Sequence, residues 1–422
     1  MTKHRSSQRL WTRDFTIITI GSFISMVGNT LSGFAVSLMV LDQTASTFLY
    51  VLFNICWQLP MLIVPMLAGA YLDRFSRKKA IYCLDFLSAA LYIGMFFVLR
   101  TGWFNYPLML LACILVGSIN SVYMVAYESF YPNLISPGNY SKAYSVSSVM
   151  SDLSALAAPL ASILYTQIGG APLFAVTGVC FFAAACFECT VSYQETHIST
   201  ESGGGAGEAL RRFRKDFREG LAYIIAEKGL LTITLYFMVS GFVGGTWQLY
   251  LPYFRSNAVK FAVWGIAVET LYSLVSNFSV VGRVIGGFVH YRVKLPTGKK
   301  FAIALTVYVT ISIIEGSLLW LPVPLMAAAF FLNGLLSVTS YNIRIAATQS
   351  YIPDEMRARF NGTFRMLCSI GSIVGSLTAG TLAEVTGERT AVMLMVSVGL
   401  LGSYVFMYRG RRHVSAIYNR EV

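Results

Sequence analysis

The chain has 422 residues, of which 55% are hydrophobic and 12% charged, and its formal net charge is +12. Soluble domains carry roughly 25% charged residues, so too few charges remain to cover a water-facing surface, and lipid must replace water around most of the molecule. The basic balance does not indicate nucleic acid, because the cations stand between apolar runs and not along one face.

An apolar run of about 20 residues is long enough to cross a bilayer as a helix. Twelve such spans are expected in chain order, at 15–41, 47–70, 80–99, 107–130, 142–166, 172–192, 229–254, 263–289, 300–320, 322–349, 359–384 and 390–408. The first follows a basic start, far exceeds a signal-peptide core and lacks a cleavage site of small residues, so it reads as a membrane span and not a cleaved leader. Cys56, Cys83, Cys113, Cys180, Cys186, Cys189 and Cys368 all fall inside apolar runs without zinc-like spacing, and read as small core residues. Connections are short except for 193–228, where Gly203-Gly204-Gly205 precedes Arg211, Arg212, Arg214, Lys215 and Arg218. That composition predicts a flexible linker leading into a surface helix. The resulting division is an N-terminal six-helix bundle at 1–192, a cytoplasmic linker at 193–228, and a C-terminal six-helix bundle with its tail at 229–422.

Positive loops stay in the cytoplasm. Alternate segments starting with the N-terminus hold most of the cations, including Arg74, Arg77, Lys78 and Lys79, whereas the opposite segments hold Arg100, Arg255, Lys260 and Arg389. Both termini are therefore expected inside, with the protein multi-pass in a bacterial inner membrane. Trp103, Trp264 and Trp320 fall near the outer span ends, as an aromatic belt requires, while Trp57 and Trp247 lie deeper.

The halves come into register at an offset of 217 residues, which sets Gly28 on Gly245, Gly69 on Gly286, Ile135 on Ile352 and Gly170 on Gly387. Two like-oriented bundles of six predict a parallel repeat about an axis normal to the membrane. Between spans 2 and 3 stands Gly69-Ala70-Tyr71-Leu72-Asp73-Arg74-Phe75-Ser76-Arg77-Lys78. This resembles the loop signature Gly-x-x-x-Asp-Arg-x-x-Arg-Lys of the major facilitator superfamily. The resemblance covers the whole chain and implies an all-α membrane protein of twelve transmembrane helices, as two six-helix bundles related by pseudo-twofold symmetry. The second half keeps a degraded copy, Gly286-Gly287-Phe288-Val289-His290, with His290 in place of the aspartate. The resemblance further implies an inner gate, in which Gly69, Asp73, Arg74, Arg77 and Lys78 meet partners among Glu128, Arg344, Arg357, Arg359 and Arg365.

In span 5, Ala155-Leu156-Ala157-Ala158-Pro159-Leu160-Ala161-Ser162 is similar to the family's antiporter stretch, with alanines and Ser162 where exporters usually show glycines. A proline kink with small residues for close packing is the structural alternative for Ala158, Pro159 and Ser162. As a whole the chain resembles the drug:proton antiporter branch with macrolide efflux proteins and siderophore exporters, an impression to which Tyr351-Ile352-Pro353-Asp354-Glu355-Met356-Arg357 contributes.

Charges within spans are functional candidates because burying them in hydrocarbon is costly. Asp152, near the middle of span 5, and Glu315, in span 9, are candidates for proton coupling, together with Asp85 of span 3. Glu188 and Glu269 lie toward span ends and read as interfacial. By analogy with the superfamily, spans 1, 4, 7 and 10 line the cavity, which nominates Asn29 and Phe34, Asn120 and Tyr123, Trp247 and Tyr250, and Asn333 and Tyr341. Aromatic rings with a few polar groups suit a bulky amphipathic ligand.

The function these features predict is secondary active transport by alternating access, as proton-coupled efflux of a bulky organic compound of drug, macrolide or siderophore type. Uptake of a small metabolite and flipping of a lysolipid are the alternatives. No phosphate-binding loop, metal-ligand cluster or nucleophile elbow is present in the sequence, which argues against an enzyme and against direct nucleotide coupling. The expected energy source is the proton gradient, without cofactor or metal. The expected partners are the bilayer, protons and a small organic substrate, with no nucleic acid or nucleotide, around a monomer.

Overall fold

The computed structural model describes residues 10–72, 75–136, 139–193, 195, 206–261, 265–292 and 296–420. Among these the chain is helical, with no strand. Twelve helical segments are long and apolar enough to cross a membrane, and each falls on one of the twelve predicted spans. Trp264, Asp73 and Arg74 lie outside the described residues.

The first half runs through α1 (Arg13–Thr44), α2 (Thr47–Leu72), α3 (Arg77–Arg100), α4 (Tyr106–Phe130), α5 (Tyr140–Ala155), α6 (Ala158–Ile168) and α7 (Gly170–Cys189). Span 5 is thus two helices. Pro159 lacks the N–H that would continue the ladder, so α5 ends at Ala155 and α6 restarts with the proline in its first turn, where no N–H is needed. Ser162 and Ala161 on α6 are fully buried, as close packing requires.

The linker folds as α8 (Ala206–Ala226). The second half follows as α9 (Lys228–Gly244), α10 (Tyr250–Ser256), α11 (Ala258–Phe261), α12 (Val268–Arg292), α13 (Lys300–Ser317), α14 (Val323–Tyr351), α15 (Asp354–Thr386), α16 (Glu388–Gly402) and α17 (Arg411–Tyr418). Span 7 passes through a 3-10 turn, Gly245–Leu249, between α9 and α10.

Contacts divide the chain into two compact units, Met1–Gln43 with Cys56–Arg211, and Thr44–Ile55 with Arg212–Val422. The opening turns of α2 therefore pack with the second unit. There Glu384 of α15 accepts from Ser46 Oγ at 2.5 Å and from the Phe48 N–H at 2.9 Å, and Thr47 Oγ1 donates to Glu388 at 3.4 Å. A carboxylate at free N–H groups is the arrangement a helix N-terminus favours.

Both units cap their third span with a residue that follows their last one. In the first, Glu195 accepts from the Arg77 N–H at 2.9 Å, the Lys78 N–H at 3.3 Å and the Ser76 hydroxyl. In the second, Asn419 Oδ1 accepts from the Phe301 N–H at 2.9 Å. The turn before the sixth span also recurs, at Gly169 (φ +84°) and Gly387 (φ +81°). Only glycine enters that backbone region at no steric cost. The repeat at this turn therefore has an offset of 218, one more than the sequence register that paired Gly170 with Gly387.

The core of the first unit gathers Phe15, Ile18, Ile81, Phe130 and the ladder of Tyr123 and Tyr127 on α4 with Tyr131 in the 3-10 turn that follows it. That of the second gathers Tyr236, Tyr308, Phe360, Phe364 and Tyr418. Its helices approach closely through glycine. A Cβ at Gly282 of α12 would meet the Phe331 carbonyl oxygen of α14, and one at Gly334 of α14 would meet that of Ser279 on α12. Small residues at such crossings are how membrane helices gain contact when lipid removes the hydrophobic drive.

Candidate functional site

The second unit encloses a cavity of about 400 Å³ among α9, α12, α13, α14, α16 and the 3-10 turn. Its apolar walls are Tyr236, Phe237, Trp247, Tyr308 and Ile311, and its polar groups are Ser240, Ser279, Ser312, Asn333, Ser337 and Ser340. Two charged residues, Glu315 and Arg283, also face it.

Glu315 sits at the centre of this arrangement. It is 9% exposed, and its Oε1 accepts from Trp247 Nε1 at 3.2 Å and from Asn333 Nδ2 at 3.3 Å. Three residues nominated separately, Trp247, Asn333 and Glu315, are thus brought to one oxygen. The 3-10 winding after Gly244 carries Trp247, so that its indole turns toward α13. The donors are neutral amide and indole groups, which leave the carboxyl free to gain or lose a proton without breaking an ion pair. On α12, Arg283 reaches Ser279 Oγ at 3.4 Å. Arg283 falls inside the eighth apolar span, and nothing in the sequence places it in the cavity.

Tyr250 does not line the cavity. It is fully buried, packs on Trp247 at 5.4 Å and Phe330 at 6.0 Å, and directs its hydroxyl to the Glu315 carbonyl oxygen at 3.4 Å. One residue past the 3-10 turn, it faces the protein and supports the two groups that do line the site. Tyr341 is 53% exposed and packs on Arg344, away from the cavity lining.

In the first unit, Asn29 Nδ2 reaches Asn120 Oδ1 at 3.4 Å, joining α1 to α4. Phe34 is half-buried on α1. Tyr123 is buried and bonds to Glu188 Oε1 at 3.0 Å and Ser22 Oγ at 3.1 Å. Glu188 is only 1% exposed, so it is not the interfacial residue its place near a span end suggested, because the last turn of α7 points it at α1 and α4. Asp85 is 2% exposed and accepts from Ser25 Oγ at 2.5 Å. Asp152 is half-buried on α5.

Of the gate residues, Gly69 lies in α2 and Asp73 and Arg74 lie outside the described residues. Arg77 donates to the Ser129 carbonyl at 3.1 Å, and the Lys78 ammonium to that of Val191, so both hold α3 to its own unit. Glu128 and Arg365 are exposed. Arg357 reaches the Ile352 carbonyl at 3.4 Å. Arg359 pairs with the linker helix, at 3.2 Å from Asp216 and 3.1 Å from Glu219. Arg344 is enclosed by rings, 4.7 Å from the centroid of Phe364 and 5.1 Å from that of Phe237, a cation–π arrangement. His290, which stands where the first half has aspartate, meets Thr339 Oγ1 at 2.7 Å and so ties α12 to α14.

Comparison with known proteins agrees with this architecture. YkuC of Bacillus subtilis (strain 168), an uncharacterized MFS-type transporter, is 24% identical over 293 residues, 67% of this chain and 66% of its own length. The match thus spans just under two thirds of that relative. Among solved structures, the peptide transporter POT in complex with sulfate superposes with a TM-score of 0.71 at 10% identity, covering 96% of each chain. The nucleoside transporter NupG gives 0.67 at 12% identity, covering 95% of this chain and 100% of its own. A bacterial homologue of the human lysosomal transporter Spinster, solved inward-facing and unoccupied, gives 0.67 at 13% identity, covering 97% and 98%. These likenesses establish the fold. The model of the Major Facilitator Superfamily matches residues 18–321, which is most of the chain, and with its twelve spans the protein belongs to that superfamily and is a multi-pass membrane transporter.

Proposed function

We propose that the protein exports an amphipathic organic compound in exchange for protons, by alternating access, with the cavity of the second unit contributing the substrate contacts and Glu315 as the coupling carboxylate. The observation that carries this reading is the single buried carboxyl oxygen of Glu315, held by Trp247 and Asn333 on the wall of an aromatic-lined cavity. A volume of about 400 Å³ lies within the range of roughly 300–1,000 Å³ typical of sites for small organic ligands. A cationic or donor group on the solute and a proton compete for the same oxygen, which is the elementary requirement for exchange. Tyr236, Phe237 and Tyr308 offer flat apolar surface, while the serines offer adaptable hydrogen bonds. The outward direction rests on the likeness of the α5–α6 junction, with Pro159 and Ser162, to the antiporter stretch of the family. Asp152 and Asp85 lie in the other unit and do not contribute to this cavity.

The test is ethidium efflux from preloaded cells expressing the protein, with and without an uncoupler. Efflux above that of empty-vector cells, abolished by the uncoupler, supports proton-coupled export. Greater dye accumulation in expressing cells would instead establish uptake, and no difference in either direction would remove planar aromatic cations from the substrate class.

A further inference from the structure

The first unit buries two carboxylates that, among the described residues, no cation pairs with. Asp85 of α3 and Glu188 of α7 are 2% and 1% exposed. Ser25 of α1 donates to Asp85 Oδ2 at 2.5 Å, Tyr123 of α4 donates to Glu188 Oε1 at 3.0 Å, and Ser22 of α1 lies 3.1 Å from that phenol oxygen. Hydroxyl groups thus satisfy one oxygen of each carboxylate. Among the described residues no lysine, arginine or histidine forms an ion pair with either. The titratable groups around the pair are Tyr123 and Tyr127 of α4 and Cys189 of α7, with Ser22 and Ser25 facing from α1; the nearby cation, Lys78 of α3, reaches Cys189 but gives its ammonium to the Val191 carbonyl and pairs with neither carboxylate.

A second observation is independent of the clustering. Glu188 Oε2 is buried and meets no donor. A buried carboxylate oxygen without a donor is a costly orphan. Ser22 and Ser25, one turn apart on α1, bring both carboxylates to the same stretch of that helix, and two like charges so placed in an apolar interior, with no ion-pair partner among the described residues, cannot both persist. The cluster therefore needs a positive charge, and the orphan oxygen is where it fits. A Cβ at Gly21 would lie 2.9 Å from Glu188 Cγ and 3.2 Å from Oε1, so α1 presses directly on this side chain.

We propose that Asp85 and Glu188 form a second proton-binding site, in which the pair holds one proton with Glu188 Oε2 as its seat. The step is simple to balance: a carboxylate takes one proton and becomes a carboxylic acid, the charge of the pair falls from two to one, and no other covalent bond changes. The pair titrates as a unit. Because hydroxyls of α1 and α4 bond the same carboxyl groups, loading the proton resets how α1 is held against α3, α4 and α7. This site is independent of the Glu315 reading and stands or falls separately from it.

Infrared difference spectra of the full-length protein in lipid nanodiscs, recorded between acidic and alkaline pH, test the proposal. The wild type is expected to lose a carbonyl-stretch band of a protonated carboxylic acid as pH rises, and the band should shift in D2O. Glu188→Gln, which keeps the size and the acceptor for Tyr123, and Asp85→Asn should each abolish or displace that band, while Glu315→Gln leaves it in place. A Glu188→Gln spectrum identical to that of the wild type would overturn the assignment. So would thermal stabilisation of the wild type by Na+ at alkaline pH that is lost in Glu188→Gln, since the occupant would then be a metal cation and not a proton.

Discussion

The cavity of the second unit depends on single atoms. Asn333 and Trp247 both spend a donor on Glu315 Oε1, and removing a partner from a buried acceptor costs about 1–3 kcal/mol. Asn333→Leu is therefore expected to lower the melting temperature in detergent and to impair transport, whereas Ser337→Ala, on the same wall, should melt like the wild type. Gly334 is a second such point. Any side chain there meets the Ser279 backbone, and overpacking of this kind costs about 1–3 kcal/mol. Gly334→Ala should melt several degrees lower or express poorly, while Gly287→Ala, on α12 with nothing within 4 Å of its Cβ, should not. Equal melting of the two variants would contradict the packing described.

At the scale of elements, two contacts join segments far apart in sequence. Helix α8 lies on the start of α15: Arg359 bonds Asp216 and Glu219, and Gly220 leaves no room for a side chain against the Arg359 carbonyl oxygen and Thr363. Exposed ion pairs contribute only about 0.2–1 kcal/mol, so the close approach at Gly220 matters more than the charges. Gly220→Val is expected to free the linker helix and to speed tryptic cleavage at Arg211–Arg218 several-fold, with a much smaller effect from Asp216→Asn combined with Glu219→Gln. The second contact is the cap that Glu384 places on α2. Losing a cap costs about 0.5–2 kcal/mol. In Glu384→Ala, a cysteine placed at Phe48 should react faster with a membrane-impermeant maleimide than in the Glu384 background. Unchanged labelling would mean that the cap does not hold the start of α2.

For the whole molecule, the span count was legible in the sequence because the need to bury about 20 apolar residues per crossing leaves a long, simple signal. Pro159 likewise announced the break between α5 and α6 through its missing N–H. Glu315, Trp247 and Asn333 were each visible as a polar or aromatic group inside an apolar run, but not as neighbours, since convergence on one oxygen depends on the 3-10 turn after Gly244. Tyr250, one residue beyond that turn, faces the packed interior and not the cavity for the same reason. Glu188 lies near a span end, which in sequence reads as nearness to water, while the fold turns that last turn inward. Arg283 had no local signal beyond its charge. The loop signature led to the family, although the partner that the structure gives Arg359 is the linker helix, which composition alone could not pair with α15.

The most direct measurement of the central claim is transport in proteoliposomes carrying wild type or Glu315→Gln, with ethidium as the probe, scored both as accumulation driven by an imposed pH gradient and as exchange without one. If Glu315 couples proton to solute, the variant keeps at least part of the exchange but loses gradient-driven accumulation by tenfold or more. Accumulation in Glu315→Gln equal to that of the wild type, at equal reconstitution, would contradict it.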